Sequence, residues 1–173
     1  MIRTATARWG LVLALMLGGG CAPKPTNEAG IPAPHDEATS ALVSLASAHH
    51  KRADLALLQG DRPAAKGELR SLLETRQRHP PRNEAAWDVY FDASARLARL
   101  HLEDREVGEA EQAARAGLAG EEQAPATLFR GYLHQTLGDV LEQKGDPRGA
   151  IEEHGRAIEI FRSILDRADT GGR

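Results

Sequence analysis

From residue 36 onward, apolar residues recur at spacings of three and four, and Gly, Pro, Asp or Asn interrupts them at short intervals. That rhythm predicts amphipathic helices joined by tight turns and little else. Asp36 is the expected cap of a first helix whose inner face runs Leu42, Leu45, Ala46, His49, Ala53, Ala56 and Leu57. Gly60 closes it and Asp61 caps a second, with Pro63 in the first turn, where a missing N–H is harmless. The second helix packs through Ala65, Leu69, Leu72 and Leu73 and stops before Pro80 and Pro81. Asn83 opens a third, with Ala86, Val89, Tyr90, Ala93, Leu97 and Leu100 on one side. A break near Asp104 to Gly108 leads to a fourth around Ala110, Ala114 and Leu118. Gly120 and Pro125 bracket a loop. The fifth helix then carries Leu128, Phe129, Tyr132, Leu133, Leu137, Val140 and Leu141. Gly145 stops it, Asp146 caps the sixth and Pro147 opens it. The sixth is expected to bury Ile151, Ala157, Ile158, Phe161, Ile164 and Leu165, and to keep Glu152, Glu153, Arg156, Arg162 and Asp166 on a polar outer side. No convincing period-two strand interrupts the pattern, and an aromatic content of 4% suits a helical domain rich in Ala and Leu. The expected class is all-α, six helices in three stacked antiparallel hairpins over residues 36–168, with a disordered tail at 169–173.

The amino terminus has a different grammar. In MIRTATARWGLVLALMLGGGC, Arg3 and Arg8 form a positive start and Leu11 to Leu17 an apolar run, followed by Gly18, Gly19 and Gly20. The run is shorter than the roughly 20 residues a membrane-spanning helix needs. Cys21, the one cysteine of the chain, comes directly after the glycines. This segment resembles a bacterial lipoprotein signal, in which small residues precede the Cys that becomes lipidated. The resemblance implies removal of residues 1–20, acylation of Cys21 and membrane attachment through that lipid. Ala22 after the Cys implies the outer membrane, with the protein facing the periplasm. An ordinary cleaved secretory signal with an incidental Cys is the alternative. Loss of Arg3 and Arg8 would leave 20 basic and 25 acidic side chains, a formal −5, so charge would not hold the body to anionic lipid. Residues 22–35, APKPTNEAGIPAPH, hold four of the nine prolines and read as an extended spacer of about 40 Å.

The helical part repeats itself. Ala65 is followed seven and eight residues later by Leu72 and Leu73, Ala110 by Gly117 and Leu118, and Ala150 by Ala157 and Ile158. Gly-Asp precedes the first and last of these alanines. Small residues at such spacing let helices approach closely, as stacked hairpins require. With Leu137, Gly138, Leu141, Gly145, Ala150 and Ala157 on small and large positions of one 34-residue unit at 131–164, the chain resembles a tetratricopeptide-repeat protein. The first two units are looser, because the alanine markers stand 45 and 40 residues apart. An unrelated helical bundle with coincidental Gly-Asp turns is the other reading, and it too is all-α.

In that family the first helix of each pair lines a concave groove that holds partners. The resemblance implies a groove lined by His50, Lys51 and Asp54, by Asp92, Arg96 and Arg99, and by Tyr132, Gln135, Thr136 and Asp139. Gln135 and Asp139 stand where members that grip a carboxylate carry other residues, so that clamp is not expected. Catalytic signatures are lacking: the sequence has no G-x-S-x-G elbow, no phosphate-binding loop and no H-E-x-x-H helix. His50 and Asp54, four apart on one helix, could share a metal, although a solvated face is the plainer reading. The expectation is therefore no enzyme, no cofactor and no metal. A formal net charge of −3 offers no basic field for nucleic acid. Proteins similar to this combination assist pilus, secretion, motility or outer-membrane assembly machines. The implied function is a scaffold or adaptor for a protein partner in a cell-envelope complex. A regulatory or inhibitory subunit of an envelope enzyme or sensor is the alternative.

Overall fold

Three turns of this chain have the same backbone hydrogen bonds, and they set its architecture. In a computed structural model that describes residues 37–171, the amide of Gly60 donates to Leu57 O and that of Asp61 to Ala56 O, at 3.0 and 2.9 Å. Arg105 and Glu106 repeat the pair on Leu102 and His101, and Gly145 and Asp146 on Glu142 and Leu141, at the same two distances. This is the left-handed stop that satisfies the last carbonyls of a helix. Gly60 and Gly145 hold it at φ 75° and 83°, which glycine adopts without steric cost. Arg105 holds it at φ 62°, the one non-glycine residue with positive φ among those described. The middle turn therefore has the same fold as its neighbours without their Gly-Asp signature, and the three turns stand 45 and 40 residues apart, as the alanine markers do.

Each turn joins two helices: α1 (Glu37–Leu58) to α2 (Arg62–Glu74), α3 (Glu84–Glu103) to α4 (Val107–Leu118), and α5 (Leu128–Lys144) to α6 (Pro147–Gly171). Six helices, with single 3-10 turns at Thr75–Gln77 and Glu121–Gln123, account for the regular structure of the described residues, and no strand occurs among them. The expected caps hold. Asp61 accepts from Ala64 N, Asn83 from Ala86 N and Asp146 from Gly149 N, each at 3.0 Å. Thr127 caps α5 by accepting from Arg130 N at 3.2 Å. Cys21, the signal segment, the Pro-rich spacer and the Asp36 cap lie outside the described residues. The last helix runs on to Gly171, past the expected boundary at residue 168.

Each helix packs on its partner in the pair; α2 also packs on α3, and α4 on α5. The first helices meet in turn, α1 with α3 and α3 with α5. Small residues sit at these contacts: Ala53, Ala65, Ala110 and Ala114 have no exposed surface. Gly117 is closer still. A Cβ there would stand 2.4 Å from Ser94 Cβ and 2.8 Å from Leu133 Cδ2, so α3, α4 and α5 converge on a position only glycine fits. Three apolar clusters run along the pairs, and α3 contributes to all of them, through Tyr90, Leu97 and Phe91 among others.

Two expectations about faces fail. Leu45 was expected inside, but it is 40% exposed, because α1 is an end helix with neighbours on one side. On α6, Ile151, Ile158 and Leu165 were expected to be buried and are 73%, 49% and 65% exposed. Glu153, expected outside, is buried instead. The face that α6 turns inward is centred on Ala150, Glu153, Ala157 and Ile160. Small residues bring α6 close to α5, and His134 of α5 provides a partner for Glu153 at 2.7 Å.

Candidate functional site

Because α1, α3 and α5 meet one another, residues pointing away from their second helices share one face. Two clefts open along it. The larger, about 530 Å³, lies between α1, α3 and the start of α5, and is lined by His50, Lys51, Asp54 and Asp92 of the expected groove. The smaller, about 310 Å³, lies between α3 and α5 and is lined by Arg99, Tyr132, Gln135, Thr136 and Asp139. Arg96 lines a third, smaller depression of about 150 Å³, which Arg99 also edges.

Many of these groups are already engaged. Arg96 is paired across the helices with Asp54. His50 Nδ1 lies 3.4 Å from Asp92 Oδ2. Burial pushes the His50 imidazole below its ordinary value, against the opposite pull of Asp92. His50 and Asp54, the pair that could share a metal, each have a partner on α3 and line the same cleft. Arg99 Nε donates to Thr136 Oγ1 at 3.4 Å, and Thr136, itself buried, donates to Tyr132 O at 2.8 Å. Thr136 therefore braces the wall of the small cleft and presents no group to a ligand. Lys51, Tyr132 and Gln135 are exposed on the face.

Sequence reasoning passed over Asp88, Val43, Val89 and Phe129, which also line the large cleft. Asp88 could have been found: Glu84, Asp88 and Asp92 stand four apart on α3, where like charges repel unless something compensates them. Burial, helped by Glu84 and Asp92, raises the Asp88 carboxyl above its ordinary value despite a hydrogen bond from Thr127. His50 Nε2 and Asp88 Oδ1 are buried in this region without a hydrogen-bond partner among the described residues. Such atoms are costly unless a ligand or water completes them. Apolar walls around a few convergent polar groups are what small binding clefts offer.

A possible metal set lies at the edge of the small cleft, where Asp139, Glu142 and His154 place one ligand atom each within 4.8 Å of one another. His154 Nε2 is 3.8 Å from Asp139 Oδ1, and the set is open to solvent. Burial raises the Asp139 carboxyl, His154 opposes that and Glu142 adds to it.

No protein-family model and no curated protein matches this chain. Among the described residues, the fold and its face define an all-helical domain of three helix pairs with a cleft-bearing row of first helices.

Proposed function

We propose that this chain is a membrane-anchored scaffold of tetratricopeptide type, tethered through lipid on Cys21 and holding a segment of a cell-envelope protein along α1, α3 and α5. The observation that carries the reading is the large cleft, whose acidic and apolar lining surrounds two buried polar atoms without hydrogen-bond partners among the described residues. A hydrogen-bond donor flanked by apolar side chains satisfies that cleft. Two further features support the tetratricopeptide assignment: the threefold recurrence of one turn, and a packing order in which each second helix meets its own first helix and the next. Lipid on Cys21 would keep the domain near its partner and raise the effective concentration of both.

The test is crosslinking in the native envelope followed by identification of what attaches. Wild-type chain captures an envelope protein. Lys51→Glu with Gln135→Glu, two exposed changes that leave the Arg96–Asp54 pair intact, weakens that capture. Capture indifferent to both changes refutes the groove. Cys21→Ala tests the anchor separately, by moving the chain from the membrane to the soluble fraction. If it remains membrane-bound, lipid on Cys21 is not the tether.

A further inference from the structure

The outer face of α6 is apolar where a terminal helix should be polar. Ile151, Ile158 and Leu165 stand seven apart and well exposed, so they form one stripe that drifts only about 20° per step around the helix. Phe161 lies at the edge of the stripe nearer α5, its ring 5.6 Å from that of Tyr132. Gly155 sits beside the stripe, and a Cβ there would meet nothing within 4 Å, so a second helix can approach closely. The charged residues of α6 on one flank of the stripe are Arg148, Glu152, Glu159, Arg162 and Asp166, all exposed, whereas the other flank has His154 beside Asp139 of α5. On the other flank His154 and Phe161 pack against Gly138 and Gly131 of α5.

We propose that this stripe is a self-association surface, at which two copies of the chain pack their α6 helices antiparallel about Ile158. The flanks decide the occupant and its direction. In an antiparallel pair related by a twofold axis, like flanks face each other; in a parallel pair, opposite flanks do. Only the antiparallel pair sets the flank of Arg148, Glu152, Glu159, Arg162 and Asp166 against its own copy. With Ile158 at the axis, Ile151 faces Leu165 of the second copy. Glu152 then falls beside Arg162 of the second copy, and Arg148 beside its Asp166. Each contact occurs twice, as an isologous interface requires. The like-charge approach is that of Glu159 to its own copy, at the rim. Within one chain Glu152 has only a 3.6 Å pairing with Arg148, both exposed, which contributes little. Three acids against two bases make the same flank a poor match for an anionic lipid surface. This surface is separate from the clefts, and it stands or falls without them.

The experiment is disulfide trapping on the full chain in unfractionated lysate, so that its outcome does not depend on the membrane anchor. Ile158→Cys places two thiols across the axis, and oxidation with copper phenanthroline yields a covalent dimer. Gln112→Cys, exposed on α4, yields none, and wild type controls for Cys21. Adding Arg162→Glu to Ile158→Cys lowers trapping about tenfold, because two attractive contacts become repulsive. Adding Glu152→Arg as well restores it. Absence of dimer, equal trapping at residues 112 and 158, or adducts to a different protein alone would overturn the proposal. Trapping that ignores the charge reversal overturns the antiparallel register.

Discussion

His134 of α5 is buried between Glu121 and Glu153, with its two ring nitrogens 2.6 and 2.7 Å from carboxylate oxygens. Carboxylates only accept, so the ring satisfies both as an imidazolium, donating from each nitrogen. Burial opposes that charge, but the hydrogen bonds to Glu121 and Glu153 outweigh it and raise the His134 value. A raised folded-state value stabilises fully below the unfolded one, near 6.5, and the contribution is lost as pH climbs through the folded value. Thermal melts of wild type and His134→Gln should therefore converge as pH rises from about 6 to about 9; a gap independent of pH would contradict this. Arg76 is a second residue of this kind. It donates to Ala116 O and Gly117 O at 3.2 and 3.1 Å and to Ala119 O, and lies over the Trp87 ring at 5.1 Å. One planar fork thus closes the end of α4 over α3. Arg76→Lys should cost about 1–2 kcal/mol in urea melts, because an ammonium cannot reach three carbonyls and stack at once.

At the scale of the element, the turns and the close helix contacts carry the testable content. Arg105 fills a left-handed position that Gly60 and Gly145 fill in the other pairs. Arg105→Gly should stabilise the protein by about 0.5–1 kcal/mol, since glycine removes the steric cost of positive φ. Loss of stability would show that the Arg105 side chain does more than tolerate the turn. Gly117 is the opposite case. Gly117→Ala drives a methyl into Ser94 and Leu133 and should cost about 1–3 kcal/mol, read as a lower melting temperature. Asn83 both caps α3 and donates to Thr39 Oγ1 of α1 at 2.7 Å. Asn83→Ala should cost about 1 kcal/mol for the cap, plus whatever the link to α1 contributes.

At the scale of the molecule, α3 is the axis. It touches α1, α2, α4 and α5, and it has neighbours on nearly every side. The end helices α1 and α6 lack a neighbour on one side and expose Val43, Leu45 and Leu55 on α1 and Ile151, Ile158 and Leu165 on α6, while Leu128, Phe129 and Tyr132 of α5 are exposed as well. A stack with two apolar ends invites partners at the ends as well as along its face. On the proposals made above, the clefts along α1, α3 and α5 would serve a bound segment and α6 a second copy. The two surfaces can be disabled independently.

Helix positions, caps and the small contacts at Ala65, Ala110, Gly117 and Ala150 were legible in the sequence because local rules decide them. Apolar spacing selects the helix, a short polar side chain satisfies its first amides, and a left-handed residue ends it. The middle turn was legible as a break near Asp104 to Gly108, but its left-handed form was not, because Arg105 does by tertiary support what glycine does by intrinsic freedom. Nor could spacing say which apolar stripe each end helix buries. The α6 sequence carries two, one of small residues with Ile160 and one of Ile151, Ile158 and Leu165. Periodicity scores the larger residues higher, but packing density selected the smaller ones, since Ala150 and Ala157 let the backbone of α6 lie close to α5. The groove shows the same division. Which residues would share the face of the first helices came with the tetratricopeptide resemblance, whereas their pairing across helices, Asp54 to Arg96 and His50 to Asp92, and an Asp88 oxygen without a hydrogen-bond partner among the described residues exist only once α1 and α3 are side by side.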